Sequence, residues 1–135
     1  MPKLSGWCVR ASLLYLSGGF GIGAVLLIQK GLSIDSRLWW LLPLHTEFLL
    51  FGWFVQLAMG VAFWILPRFR TPPVRGREGL GWLAFVLLNA GVILAGLRAL
   101  PGTAAAVPLA GRAAEAAAAL AFAAHAWPRI KPMGD

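Results

Sequence analysis

Metal chemistry in this chain would rest on its two histidines, His45 and His125. Its single cysteine, Cys8, can build neither an intrachain disulfide nor a thiolate cluster. His45 sits in the run Pro43-Leu44-His45-Thr46-Glu47, which continues through Phe51-Gly52-Trp53 and Met59-Gly60 to Phe63-Trp64-Ile65-Leu66-Pro67-Arg68. At about 100° per residue, His45, Gly52, Gln56, Met59 and Phe63 fall within about 40° of one line on a helix. One face therefore carries an imidazole, a glycine and an amide, while the others are mostly large and apolar. A polar stripe of this kind in a membrane helix faces the bundle interior or a partner chain. A neutral imidazole ligates haem iron or other metals, and Gly52 would leave space beside the ring. The same stripe also reads as a histidine that only hydrogen-bonds across a bundle, and spacing alone leaves both readings open.

Arg112 and Glu115 are the other residues that are costly in an apolar helix. Their i, i+3 spacing gives a local ion pair. A functional reading uses depth: Arg112 would lie about 9 Å deeper than His45, and its long side chain could snorkel outward to a haem propionate or to Glu47. Glu47 itself lies about 200° round the helix from His45, so the two do not share a ligand. His125 falls about 28 Å from the depth of His45, too far for one haem to bridge, and is placed at the opposite interface near Trp127. Asn89 reads as an interhelical hydrogen-bonding residue, and Tyr15 receives no role.

The elements that position these residues follow from composition. The chain has 135 residues, 59% hydrophobic and only 13% charged, more apolar surface than a soluble domain of this size can hide. Four apolar segments, about 9–32, 38–66, 80–100 and 107–127, each reach the roughly 20 residues needed to cross a bilayer. The expected fold is an all-α membrane protein: one domain of four transmembrane helices in an up-down-up-down antiparallel bundle. The apolar stretch Ala11–Ile28 after Lys3 and Arg10 is longer than a typical cleaved signal, and Ile28-Gln29-Lys30 makes a poor cleavage site, so the first helix is expected to stay uncleaved. Pro43 and Pro108 fit first helical turns, while Pro67 and Pro128 close the same two helices. Leu38–Leu42 would then lie at the interface or extend the helix through a kink. Gly18, Gly19, Gly21 and Gly23 let the first helix pack closely or make room for a flat cofactor.

The net charge of +7 comes mostly from arginines at the ends of apolar runs, which anchor and orient helices rather than bind nucleic acid. Lys3 and Arg10, then Arg68, Arg70, Arg75 and Arg77, then Arg129 and Lys131 all mark one side. That places both termini in the cytoplasm, in a multi-pass protein of the cytoplasmic (inner) membrane, with His45 near the outer face.

Leu44-His45-Thr46, Phe51-Gly52-Trp53, Met59-Gly60 and Trp64-Ile65-Leu66-Pro67-Arg68 together resemble the second helix of the catalytic subunit of haem-copper oxygen and nitric oxide reductases. Trp82 with Asn89-Ala90-Gly91 is similar to that family's third helix. The resemblance implies that His45 is a haem ligand, with a haem of b type as the cofactor. It also implies a role in electron transfer or as an accessory to a respiratory oxidase or nitric oxide reductase. This chain is much shorter than that subunit and lacks the histidines of its copper site, so a complete reductase within one chain is excluded. The expected binding residues are His45, Gly52, Gln56, Met59 and Arg112, with His45 as the metal ligand.

No second histidine of the chain reaches the depth of His45. A homo-oligomer would supply one: a dimer holding one haem between two His45 rings, or a trimer gathering three imidazoles around copper or zinc on its axis. Five-coordinate haem on one His45 is the remaining option. Two other function classes stand beside this one. One is a cofactor-free assembly or stabilising subunit. The other is a small four-helix exporter, disfavoured because no carboxylate lies between Ala11 and Ile28.

Overall fold

The computed structural model describes residues 1–130, all helical apart from turns and connections. Lys131, counted above in the C-terminal charge, lies outside the described residues. Four helices are long and apolar enough to cross a membrane: α1 (Lys3–Leu32), α2 (Ser36–Ile65), α3 (Glu78–Ala99) and α4 (Ala106–Arg129). Much of each span is lined by exposed large side chains such as Leu14, Phe20, Leu27, Ile65 and Leu120. That is the surface lipid tails solvate at no cost.

Helix α1 begins at Lys3, six residues before the expected start, because Trp7 and Cys8 continue its apolar run. It ends at Ser33, whose left-handed conformation (φ 49°) turns the chain while its N–H donates to Gln29 O at 2.8 Å. The Gln29 side chain accepts from Asp35 N–H, and the Asp35 carboxylate accepts from Arg37 N–H, both at 2.8 Å. Three residues thus reverse the chain, with their polar groups satisfied locally.

Helix α2 is composite. A 3-10 segment (Ser36–Leu41) leads into a short α-helix (Leu42–Glu47), then a π-helix (Phe48–Val55), then a second α-helix (Gln56–Ile65). Leu38–Leu42 therefore extends the helix, with Pro43 in the first α turn where a missing N–H is harmless. The π segment was not expected. It widens the turns and changes which residues share a face. In a uniform α-helix, Glu47 and Met59 would point about 120° apart. Here Glu47, Phe51, Val55 and Met59 all face α3 and α4.

The core between these helices is built on small residues. Met59, Ala84, Leu88 and Ala118 form its centre, flanked by Phe51, Val55 and Phe122. Helices α3 and α4 approach backbone to backbone at Gly91 and Gly111: a Cβ on Gly91 would come 2.9 Å from Gly111 O. Neither glycine figured in the sequence-based packing motif. Gly19 and Gly23 of α1 instead receive Leu49 and His45 of α2, so the glycine run of α1 is filled by side chains. Further along, Gly52 meets Tyr15 and Gly60 meets Cys8, so contacts rise along α2 as they fall along α1.

Candidate functional site

His45 lies on the short α-helix of α2, pressed into the gap left by the missing side chain of Gly23. A Cβ on Gly23 would sit 2.7 Å from His45 Cε1, so only glycine admits the ring in this pose. His45 Nδ1 stands 2.8 Å from Gly19 O. A carbonyl oxygen only accepts, so Nδ1 must carry the hydrogen. In the neutral ring Nε2 then holds a lone pair, and it has no hydrogen-bond partner among the described residues. Metal-bound histidines are usually oriented in this way, one nitrogen tied to a backbone carbonyl and the other presented to the metal. The ring is half-buried and lines a groove of about 570 Å³ between α1 and α2, walled by Phe20, Leu27, Trp39 and Leu49.

The other expected binding residues do not gather around it. Gly52 is covered by the Tyr15 ring, whose Cγ would lie 2.5 Å from a Cβ at that position. Tyr15 in turn donates from its hydroxyl to Asn89 Oδ1 at 3.0 Å, which gives Asn89 the interhelical bond expected of it and Tyr15 a role that spacing did not show. Gln56 is fully buried; its Nε2 donates to Cys8 O at 3.5 Å, and its Oε1 is without a partner. Met59 belongs to the α2–α3–α4 core. The stripe counted at a constant pitch is therefore split by the π segment. His45, Gly52 and Gln56 turn toward α1, whereas Met59 turns away from it.

Arg112 is engaged on the far side of α2. Its guanidinium grips Glu47 as a fork, Nη1 to Oε1 at 3.0 Å and Nη2 to Oε2 at 2.6 Å. The same Nη1 donates to Glu115 Oε2 at 2.8 Å, and the guanidinium lies 5.2 Å from the centre of the Phe51 ring. Both contacts considered from the sequence, the local pair and the reach to Glu47, are formed together. Both carboxylates are buried, and Glu115 fits there because Gly91 opposite has no side chain. With two carboxylates on one guanidinium, Arg112 offers no free charge to a propionate beside His45. Its contribution is to tie α2 to α4: the half-exposed guanidinium covers two buried acids that its loss would strand.

His125 occupies the other end of the molecule and has no nitrogen to spare. Its Nδ1 stands 3.0 Å from Arg77 O, so it too carries the hydrogen, and its Nε2 accepts from Arg129 Nη1 at 3.0 Å. The ring stacks on Phe63 with centroids 4.9 Å apart. Arg129 is almost completely buried and donates as well to the carbonyls of Phe63, Leu66 and Pro67, the orphan acceptors at the end of α2. Sequence reasoning counted Arg129 only as a loop charge. The signal was its i+4 spacing from His125, carried over Pro128 by a 3-10 turn (Trp127–Arg129).

Among the described residues no three His, Cys, Asp or Glu side chains converge as a metal centre. A single imidazole on a groove is thus what one copy offers. No family model, curated protein or solved structure matches the chain.

Proposed function

We propose that this chain is a small integral membrane protein that holds a haem, or a metal such as copper or zinc, on His45. It would work in electron transfer or as an accessory to a respiratory oxidase or nitric oxide reductase, as its resemblance to the haem-copper reductases implies. The observation that carries this reading is the His45 ring, which lines the α1–α2 groove with Nδ1 bonded to Gly19 O and Nε2 without a partner among the described residues. A bound haem would supply an iron able to store one electron. The residues of this chain would orient its ligand nitrogen, fix the tautomer and keep water away with Phe20, Leu27 and Leu49. The groove lies on the surface of the bundle, so a second copy presenting its own His45 completes the ligand set without rearranging either core. We place the molecule in the cytoplasmic membrane as an up-down-up-down bundle with both termini inside. The opposed contact order of α1 and α2 supports the antiparallel arrangement, and the arginines between α2 and α3 support the orientation.

The test is the visible spectrum and native mass of purified protein, with and without His45→Ala. A haem absorption band lost in the variant, in a species of two or more copies, is the expected result. Colourless protein that takes up neither haem nor metal overturns the reading.

One observation favours the other class. Gly52, Gln56 and Met59 serve packing, as they would in a cofactor-free subunit that stabilises a larger complex. Co-purification with an oxidase or reductase, together with a colourless isolated chain, would select that reading.

A further inference from the structure

The groove beside His45 carries a second basic group. Along α1, Phe20, Gly23, Ala24, Leu27 and Lys30 fall at the i, i+3, i+4, i+7 and i+10 spacing of a single helix face, and all of them line this groove. Lys30 closes its end: it is exposed and has no ion-pair partner among the described residues. It lies seven residues beyond Gly23, about 10 Å of helix rise from the point where the His45 ring rests. The wall between the two basic groups is apolar, with Ala24 and Leu27 on α1 and Trp39 and Leu42 on α2, and Phe20 and Leu49 continue it past the imidazole. A lone-pair nitrogen at one end, an unpaired ammonium at the other and an apolar wall between them describe a particular ligand. It has a flat or extended apolar body with a metal or hydrogen-bond donor in the body and acid groups at its edge. The separation is comparable to that between the centre of a porphyrin and its carboxylates.

We infer that Lys30 receives the acid groups of the ligand held by His45, which makes the groove specific for a porphyrin that retains its free carboxylates. This rests on the haem reading of His45 and adds a residue that the ligand motif does not contain. Arg112, the basic residue expected to fill this role, is spent on Glu47 and Glu115 across α2.

The experiment titrates the purified chain in nanodiscs of neutral lipid with protohaemin and with its dimethyl ester, in the wild type, Lys30→Met, Lys30→Arg and His45→Ala. Wild type should prefer the free acid by roughly two- to fivefold, the worth of one ion pair at an exposed site. Lys30→Met should bind both forms equally with an unchanged axial-ligand spectrum, and Lys30→Arg should keep most of the preference. A Lys30→Met protein that still favours the acid overturns the inference while leaving the His45 reading intact. A wild type that binds neither form with a His45-dependent spectrum overturns both. Loss of co-purified anionic phospholipid in Lys30→Met, with haem affinity unchanged, would assign the groove to a lipid headgroup and also overturn the inference.

Discussion

His45 and His125 are both tied through Nδ1 to a backbone carbonyl of a neighbouring segment, at 2.8 and 3.0 Å, and both pack against α2 or belong to it. Their other nitrogens part company. That of His45 has no partner among the described residues, on a ring that lines an apolar groove, whereas that of His125 accepts from an arginine which also caps the end of α2. The neighbours explain the difference. His45 sits opposite glycines, which give room and a carbonyl but nothing that could bond Nε2. His125 sits four residues from Arg129 on its own helix and is sandwiched against Phe63. Identical side chains thus keep one nitrogen unpartnered at one end of the bundle and form a fully bonded clamp at the other, and the surroundings of Nε2 decide which.

The largest effect should come from breaking the clamp. Arg129→Ala would leave the carbonyls of Phe63, Leu66 and Pro67 and the ring of His125 without their donor in a buried setting. A loss of about 3–5 kcal/mol is expected, since a stranded buried acceptor costs about 1–3 kcal/mol. Unfolding in mixed detergent micelles, followed by tryptophan fluorescence, measures it. Arg129→Lys, which keeps the charge but not the planar fork, should recover less than half. A change below 1 kcal/mol in Arg129→Ala would mean that the clamp contributes little, and the contrast with His45 would collapse.

The histidines themselves should separate next. His125→Ala removes two hydrogen bonds and a stacked ring, for about 2 kcal/mol. His45→Ala removes one bond from a half-buried ring and should cost no more than about 1 kcal/mol. Ligand binding should show the reverse order, abolished by His45→Ala and untouched by His125→Ala. Equal stability losses, or a ligand spectrum sensitive to both, would show that the two rings are not divided into ligand and clamp.

Which parts of this arrangement could be read from sequence depends on the range of the interaction. The four spans were legible because bilayer thickness fixes their length and lipid fixes their composition. That His45 and His125 lie at opposite ends of α2 was legible because so many helical turns separate their places along it. The reach of Arg112 to Glu47 followed from the same arithmetic and is formed. Rotation was not legible. The stripe from His45 to Met59 assumed a constant pitch, and the π segment changes it so that Glu47 can meet Arg112 while Met59 meets Leu88. That demand comes from α3 and α4 and leaves no local signature. The clamp escaped for a related reason: Arg129 looked like one more flanking charge until Pro128 and its 3-10 turn folded it back over α2. The close approach of α3 and α4 uses Gly91 and Ala95, a small-xxx-small pair that both meet Gly111, but only the packed structure shows which helix that pair faces.

The finest test of the comparison lies in two neighbouring glycines of α1. A Cβ at Gly21 would meet nothing within 4 Å, whereas one at Gly23 would meet His45 Cε1 at 2.7 Å. Gly21→Ala should therefore be neutral or gain up to about 1 kcal/mol from helix propensity alone. Gly23→Ala receives the same gain but must push the imidazole aside, at an overpacking cost of about 1–3 kcal/mol, leaving a net loss of about 1 kcal/mol. The displaced ring would lose its bond to Gly19 O, and with it the fixed tautomer that leaves the lone pair on Nε2. The variant should then bind ligand more weakly and with an altered axial-ligand spectrum, although His45 is still present. If Gly23→Ala behaves like Gly21→Ala in both stability and spectrum, the ring is not held as described, and His45 presents its nitrogen by some means other than the glycine gap.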